Sequence, residues 1–163
     1  MHKRALELIE QLNLTKHPEG GYYNQTYCSE NKVLSYKIND KRPAITDIYF
    51  LLPNGQNSKF HKVAHDEIWH FYEGDPLIIH SFDEKTNNYN SQIIGNKNNN
   101  PPNYKAVIKG GYWQAAQTTG NYTLVGCTVG AGFDFKDFAM LEKDSEVAQN
   151  ILQNNANLKY LIV

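Results

Sequence analysis

Hydrophobic residues recur along the first dozen positions with the period of a helix. Ala5, Leu6, Leu8, Ile9 and Leu12 fall on one stripe, with Lys3, Arg4, Glu7, Glu10 and Gln11 opposite, which predicts an amphipathic helix over residues 3–12. The run His17-Pro18-Glu19-Gly20-Gly21 stops that helix and turns the chain. From there to about residue 140 the pattern becomes short β-branched and aromatic runs. Strands are predicted at 22–28, 44–52, 58–63, 67–73, 76–82, 90–94, 104–109, 112–117 and 121–129, divided by turns such as Pro53-Asn54-Gly55, Glu73-Gly74-Asp75-Pro76 and Thr119-Gly120-Asn121. So many short strands without intervening helices predict an all-β sandwich or barrel. The helical period returns over 143–154, where Val147, Ala148, Ile151 and Leu152 share a face and Asp144 or Ser145 serves as N-cap.

The 163 residues suit a single domain over 1–163, with the barrel at about 17–140 between the two helices. An aromatic content of 12%, eleven residues of it Tyr, argues for a packed β-rich core rather than disorder. The formal net charge of -1 provides no electrostatic drive toward nucleic acid or an anionic membrane. No apolar run approaches the roughly 20 residues that span a bilayer. Glu7 and Glu10 interrupt what a signal-peptide core would need, and two cysteines, Cys28 and Cys127, are too few for a disulfide framework. A cytoplasmic protein with no nucleic-acid or membrane partner is expected. The Asn-rich segment 83–103, ending beyond Pro101-Pro102, reads as a hairpin plus a mobile surface loop.

Ionisable residues crowd into GQNSKFHKVAHDEIWHFYEG between Gly55 and Gly74. Strand alternation sorts them. His61 and Val63 oppose Phe60 and Lys62, while Glu67, Trp69 and Phe71 oppose Ile68, His70 and Tyr72. If the two strands are neighbours, His61, Val63, Glu67, Trp69 and Phe71 line one concave face and His70 points away. His65 falls in the connecting turn. Trp69, Phe71 and Tyr49 are read as an aromatic wall on which a flat ligand stacks. Cys127 shares a strand face with Thr123, Val125 and Val129 and reads as a small core residue.

The same segment resembles a family motif. Gly55-x5-His61-x-Val63-x3-Glu67-x6-Gly74 is similar to the first motif of the cupin superfamily, with Val63 where a second histidine usually stands. Lys109-Gly110-Gly111-Tyr112-Trp113-Gln114 is similar to the second, with Gln114 in place of its histidine. HPEGGYY at 17–23, TDIYFLL at 46–52, DEIWHFYEGDPL at 66–77, YWQAA at 112–116 and LVGCTVGAGFDFKDF at 124–138 narrow the resemblance to the cupin-5 family, a branch of uncharacterised function. The resemblance implies a cupin double-stranded β-helix, a jelly-roll barrel, with short terminal helices. It also implies pairing as a homodimer, which would cover edge strands.

Carried over by residue, the cupin metal set becomes His61, Glu67 and Gln114, two good ligands and one weak one for a divalent metal. The resemblance also implies a place for Glu19 at the pocket mouth. The metal-free alternative is chemically sound: an imidazole beside a carboxylate in an apolar barrel works as an acid–base pair. His61 and Glu67 would then move a proton beside a carbonyl, Gln114 would orient the ligand, and the fold's similarity to sugar-nucleotide epimerases points to a small carbohydrate-like or keto-acid-like molecule. Whether it is an enzyme stays open: the alternatives are a non-catalytic sensor or storage cupin and, third, a divalent-metal-dependent enzyme. Val63 and Gln114 count against oxygenase chemistry.

Overall fold

The computed structural model describes residues 1–95 and 102–163. The segment outside them holds the tip of the Asn-rich run, so the loop expected there lies outside the described residues. In chain order the elements are α1 (Lys3–Gln11), β1 (Thr15–Lys16), β2 (Tyr22–Cys28), β3 (Lys32–Ser35), β4 (Asp40–Pro43), β5 (Thr46–Pro53), β6 (Asn57–Lys62) and β7 (Asp66–Gly74). They continue as β8 (Leu77–Asp83), β9 (Asn88–Ile94), β10 (Lys105–Ile108), β11 (Trp113–Thr118), β12 (Tyr122–Gly130), β13 (Ala139–Met140) and α2 (Glu146–Asn154). Short 3-10 turns occupy Phe135–Asp137 and Ala156–Leu161.

One sheet runs β1-β2-β5-β12-β7-β10 and another β13-β6-β11-β8-β9, all pairs antiparallel. Their inner faces meet in a core of Phe50, Leu52, Trp69, Leu77, Ile79, Ile94, Ala106, Ile108 and Val125. Alternation along each strand sends the neighbours outward, where the two helices cover them. Ala5 and Leu8 of α1 pack on Leu51 and Leu124. Ile151, Leu158 and Leu161 pack on Phe60, Phe82, Trp113 and Leu141 behind the second sheet. His2 caps α1, its Nδ1 accepting from the Arg4 N–H, and the Ser145 hydroxyl caps α2 by accepting from Ala148. No helix among the described residues is long and apolar enough to cross a membrane.

Every strand expected from the pattern forms, with ends shifted by a residue or two. The β3–β4 hairpin was not expected. Its apolar residues Val33 and Leu34 are exposed, while its charged Arg42 is buried, the reverse of what periodicity detects. Arg42 is held by a two-bond contact to Asp137 at 2.7 and 2.8 Å and by Asp40 at 2.6 Å. That contact fastens the hairpin to the turn carrying Phe135 and Phe138.

Candidate functional site

Backbone geometry first brings the ionisable groups together. In β6, Ser58 pairs with Ala116 and His61 with Gln114, so two residues of β6 oppose one of β11. This bulge turns both Ser58 and His61 inward, where simple alternation would separate them. Across the interior, β7 carries Glu67 inward beside Val129 of β12. The HPEGG turn enters from the side. Gly20 has φ +112°, and a Cβ there would sit 2.1 Å from the Asn57 carbonyl oxygen, so only glycine lets this turn lie against β6. Lys59 N–H donates to the Glu19 carbonyl at 2.9 Å and locks the turn in place. Glu19 is thereby driven inward and buried.

The result is a cavity of about 250 Å³ lined by Glu19, His17, His61, Glu67 and Cys127 among largely apolar neighbours. Tyr23, Ile48, Phe50, Val63, Val129, Phe133 and Phe135 supply the wall. Glu19 Oε2 lies 3.2 Å from His61 Nε2 and 3.4 Å from His17 Nδ1. Its other oxygen accepts a hydrogen bond from the Ser58 hydroxyl at 2.9 Å. His61 Nδ1 lies 2.8 Å from the Lys59 carbonyl oxygen. A carbonyl only accepts, so Nδ1 carries a proton and Nε2 is left to face Glu19. Phe138 stacks on the His61 ring at 5.5 Å.

Behind the cavity a second chain of bonds holds Glu67. Trp69 Nε1–H donates to Gln114 Oε1 at 3.1 Å, and Gln114 Nε2–H donates to Glu67 Oε2 at 2.5 Å. Burial dominates the proton affinities. It pushes the Glu19 carboxyl up to about 8, with the Ser58 hydroxyl opposing, and raises Glu67 against the opposing charge of His61. It lowers His61, partly offset by Glu67 and the Lys59 carbonyl, and lowers His17 to about 4 with help from His61. Burial thus favours Glu19 as carboxylic acid and His61 as neutral imidazole at neutral pH, with Oε2 and Nε2 3.2 Å apart.

Of the residues singled out in the sequence, His61, Glu67 and Glu19 meet in the cavity, and Glu19 is a central member rather than a rim residue. Gln114 is fully buried behind Glu67 and braces it instead of facing a ligand. The structure does not bring the expected aromatic wall of Trp69, Phe71 and Tyr49 into the cavity lining. Trp69 is sealed beneath the cavity against Gln114 and Phe50, and Phe71 packs on the core toward Tyr104. Tyr49 faces outward under α1, because Ile48 and Phe50 take the inward positions of β5. His70 is half-buried on the reverse face of β7, and His65 bonds Ser35 at 2.7 Å in its turn. Cys127 is buried in the cavity lining, and burial beside Glu67 and Glu19 pushes its thiol up, away from nucleophilic reactivity.

His17, Ser58, Phe133 and Phe135 were missed as site residues. The HPEGG turn was the available signal, since two ionisable residues beside paired glycines are more than a loop needs. The metal set inferred from the cupin motifs does not assemble: both ends of the Gln114 amide are committed, and Val63 offers no donor. Among the described residues no three His, Cys, Asp or Glu side chains are disposed to hold a metal ion.

Comparison with known proteins places this geometry in a family. A solved protein from Leishmania major, described as hypothetical, is 28% identical, with a TM-score of 0.85 over 97% of this chain and 98% of its own. A solved protein from Shewanella oneidensis is 27% identical, with a TM-score of 0.80 over 96% of each chain. A cupin 2 conserved barrel domain protein from Rhodopseudomonas palustris, 12% identical over 91% of this chain and 84% of its own, has a TM-score of 0.57 and shares the fold. A comparison with curated proteins finds no match. The family model Cupin_5, described as cupin superfamily (DUF985), matches residues 6–141, and the chain belongs to that family.

Proposed function

We propose that the barrel binds a small carbohydrate-like or carbonyl compound and moves a proton within it, in the manner of an isomerase or epimerase. The observation that carries this reading is the buried contact of Glu19 Oε2 with His61 Nε2 at 3.2 Å, at the edge of an apolar cavity of about 250 Å³. A neutral imidazole accepts a proton from carbon beside a carbonyl while the Glu19 acid gives its proton to the carbonyl oxygen. That step leaves an enediol, an imidazolium and a carboxylate. Oε2 and Nε2 lie 3.2 Å apart, so one transfer of the proton from Nε2 to Oε2 restores the starting pair. Glu19 then gives a proton to the former carbonyl carbon while His61 Nε2 takes the proton of the neighbouring hydroxyl, which becomes the new carbonyl. A second transfer from Nε2 to Oε2 resets the pair, and the ligand is isomerised. Delivery instead to the starting carbon on its other face, with the proton of the first-formed hydroxyl going to Nε2, epimerises it. Glu67 stabilises the imidazolium as it forms, and Gln114 and Trp69 hold Glu67 in position. The apolar wall keeps water from competing for the proton.

The test is exchange of carbon-bound hydrogen with deuterated water, followed by proton NMR over a set of small hydroxy-carbonyl compounds and 2-keto acids. Wild-type protein should exchange at least one of them. Glu19→Gln and His61→Asn should each slow that exchange about 100-fold or more, the usual contribution of a positioned acid or base. Binding without exchange would favour a sensor, and unchanged exchange in both variants would refute the assignment.

A further inference from the structure

The cavity lining has a chemical character of its own. Glu19 and Glu67 are both buried in it, and the named lining residues include neither Lys nor Arg. Arg42, buried outside that lining, is saturated by Asp137 and Asp40. Four lysines, Lys37, Lys62, Lys85 and Lys136, line a second, more open groove of about 640 Å³ that adjoins the cavity at Val63. There Lys62 pairs with Glu84 and Lys37 donates to the Gly110 carbonyl. A carboxylate or phosphate entering the cavity would lose its hydration and meet two carboxyl groups with no fixed cation to replace the water. An uncharged hydroxyl or carbonyl oxygen, by contrast, finds donors and acceptors in the Glu19 acid, His17 and Gln25.

We infer that the ligand is an uncharged hydroxy-carbonyl compound, a free sugar fragment rather than a keto acid or a sugar phosphate. This rests on the proposed site being the ligand site and narrows what it accepts. It removes the keto-acid half of the class expected from the sequence. The cavity volume points the same way: about 250 Å³ lies below the roughly 300–1,000 Å³ of sites for larger ligands, so a nucleotide-linked sugar does not fit inside.

The probes are dihydroxyacetone and hydroxyacetone, with dihydroxyacetone phosphate and pyruvate as their anionic counterparts and tetramethylammonium as a cation. Each is titrated into the full chain while the methyl resonances of Ile48, Val63 and Val129, all in the lining, are followed by NMR. The uncharged probes should shift these methyls with an affinity at least 10-fold above their anionic counterparts. Anions acting equally well would overturn the inference, as would preference for tetramethylammonium or no response to the uncharged probes at millimolar concentration. Selective binding of the uncharged probes without hydrogen exchange would sustain this inference while refuting proton transfer, so the two fail separately.

Discussion

Glu19 concentrates the unusual physics of this protein in one side chain. Its carboxyl is buried against two imidazoles and a hydroxyl, and its proton affinity is raised from the ordinary 4.5 to about 8. Folded protein therefore holds a proton that the unfolded chain releases at lower pH. The stabilisation is fully present below pH 4.5 and is lost as pH rises to about 8. Between pH 6.5 and 8 the loss from Glu19 amounts to about 2 kcal/mol, at about 1.4 kcal/mol per unit. Denaturant unfolding at these two values should show wild type losing stability and Glu19→Gln losing about 2 kcal/mol less; equal slopes would contradict a raised Glu19. His17 acts with the opposite sign, since its folded value of about 4 lies below 6.5: its contribution is present above pH 6.5 and lost as acid approaches 4. His61 and Glu67 were legible in the sequence because both lie on strands, where alternation and motif spacing locate them. His17 and Glu19 were not read as the centre of the site. They sit on a turn without a period, and the His61 and Ser58 partners of Glu19 lie far along the chain.

At the scale of elements, turns and bulges decide what the strands present. The HPEGG turn reaches its place only because Gly20 has φ +112° and passes within contact of the Asn57 carbonyl. Gly55, at φ +82°, faces open space. Gly20→Ala should therefore add a backbone clash to the roughly 1–3 kcal/mol of left-handed strain, displace Glu19 and lose the hydrogen exchange. Gly55→Ala should show only the strain and keep the exchange. Thermal unfolding and the exchange assay separate the two, and equal behaviour would show that the turn does not position Glu19. Sequence alternation located β5, β6, β7 and β12 but not the β6 bulge that brings Ser58 in beside His61. Nor did it reveal β3 and β4, whose inward residue is a charged Arg42 satisfied by Asp137. A periodicity built on apolar residues is blind to an element fixed by a buried ion pair.

For the whole molecule, the jelly-roll barrel with its two flanking helices was legible because hydrophobic pattern and family motifs agree over most of the chain. The helices serve a purpose the site does not share. Ile151 of α2 is fully buried in the cluster behind the second sheet, away from the cavity. Ile151→Ala should cost roughly 2–5 kcal/mol of stability while leaving exchange intact at a temperature where the variant is folded. Loss of exchange in folded variant would tie α2 to the site.

The central claim is a buried carboxylic acid at Glu19 facing the neutral imidazole of His61. Infrared difference spectroscopy of protein carrying ¹³C-labelled glutamate reads it directly, without any ligand. A protonated carboxyl stretch is expected at pH 7, weakened in Glu19→Gln and titrating away as pH passes about 8. Fully ionised glutamates at pH 7, with no such band to lose in Glu19→Gln, would contradict a protonated Glu19 and the chemistry built on it.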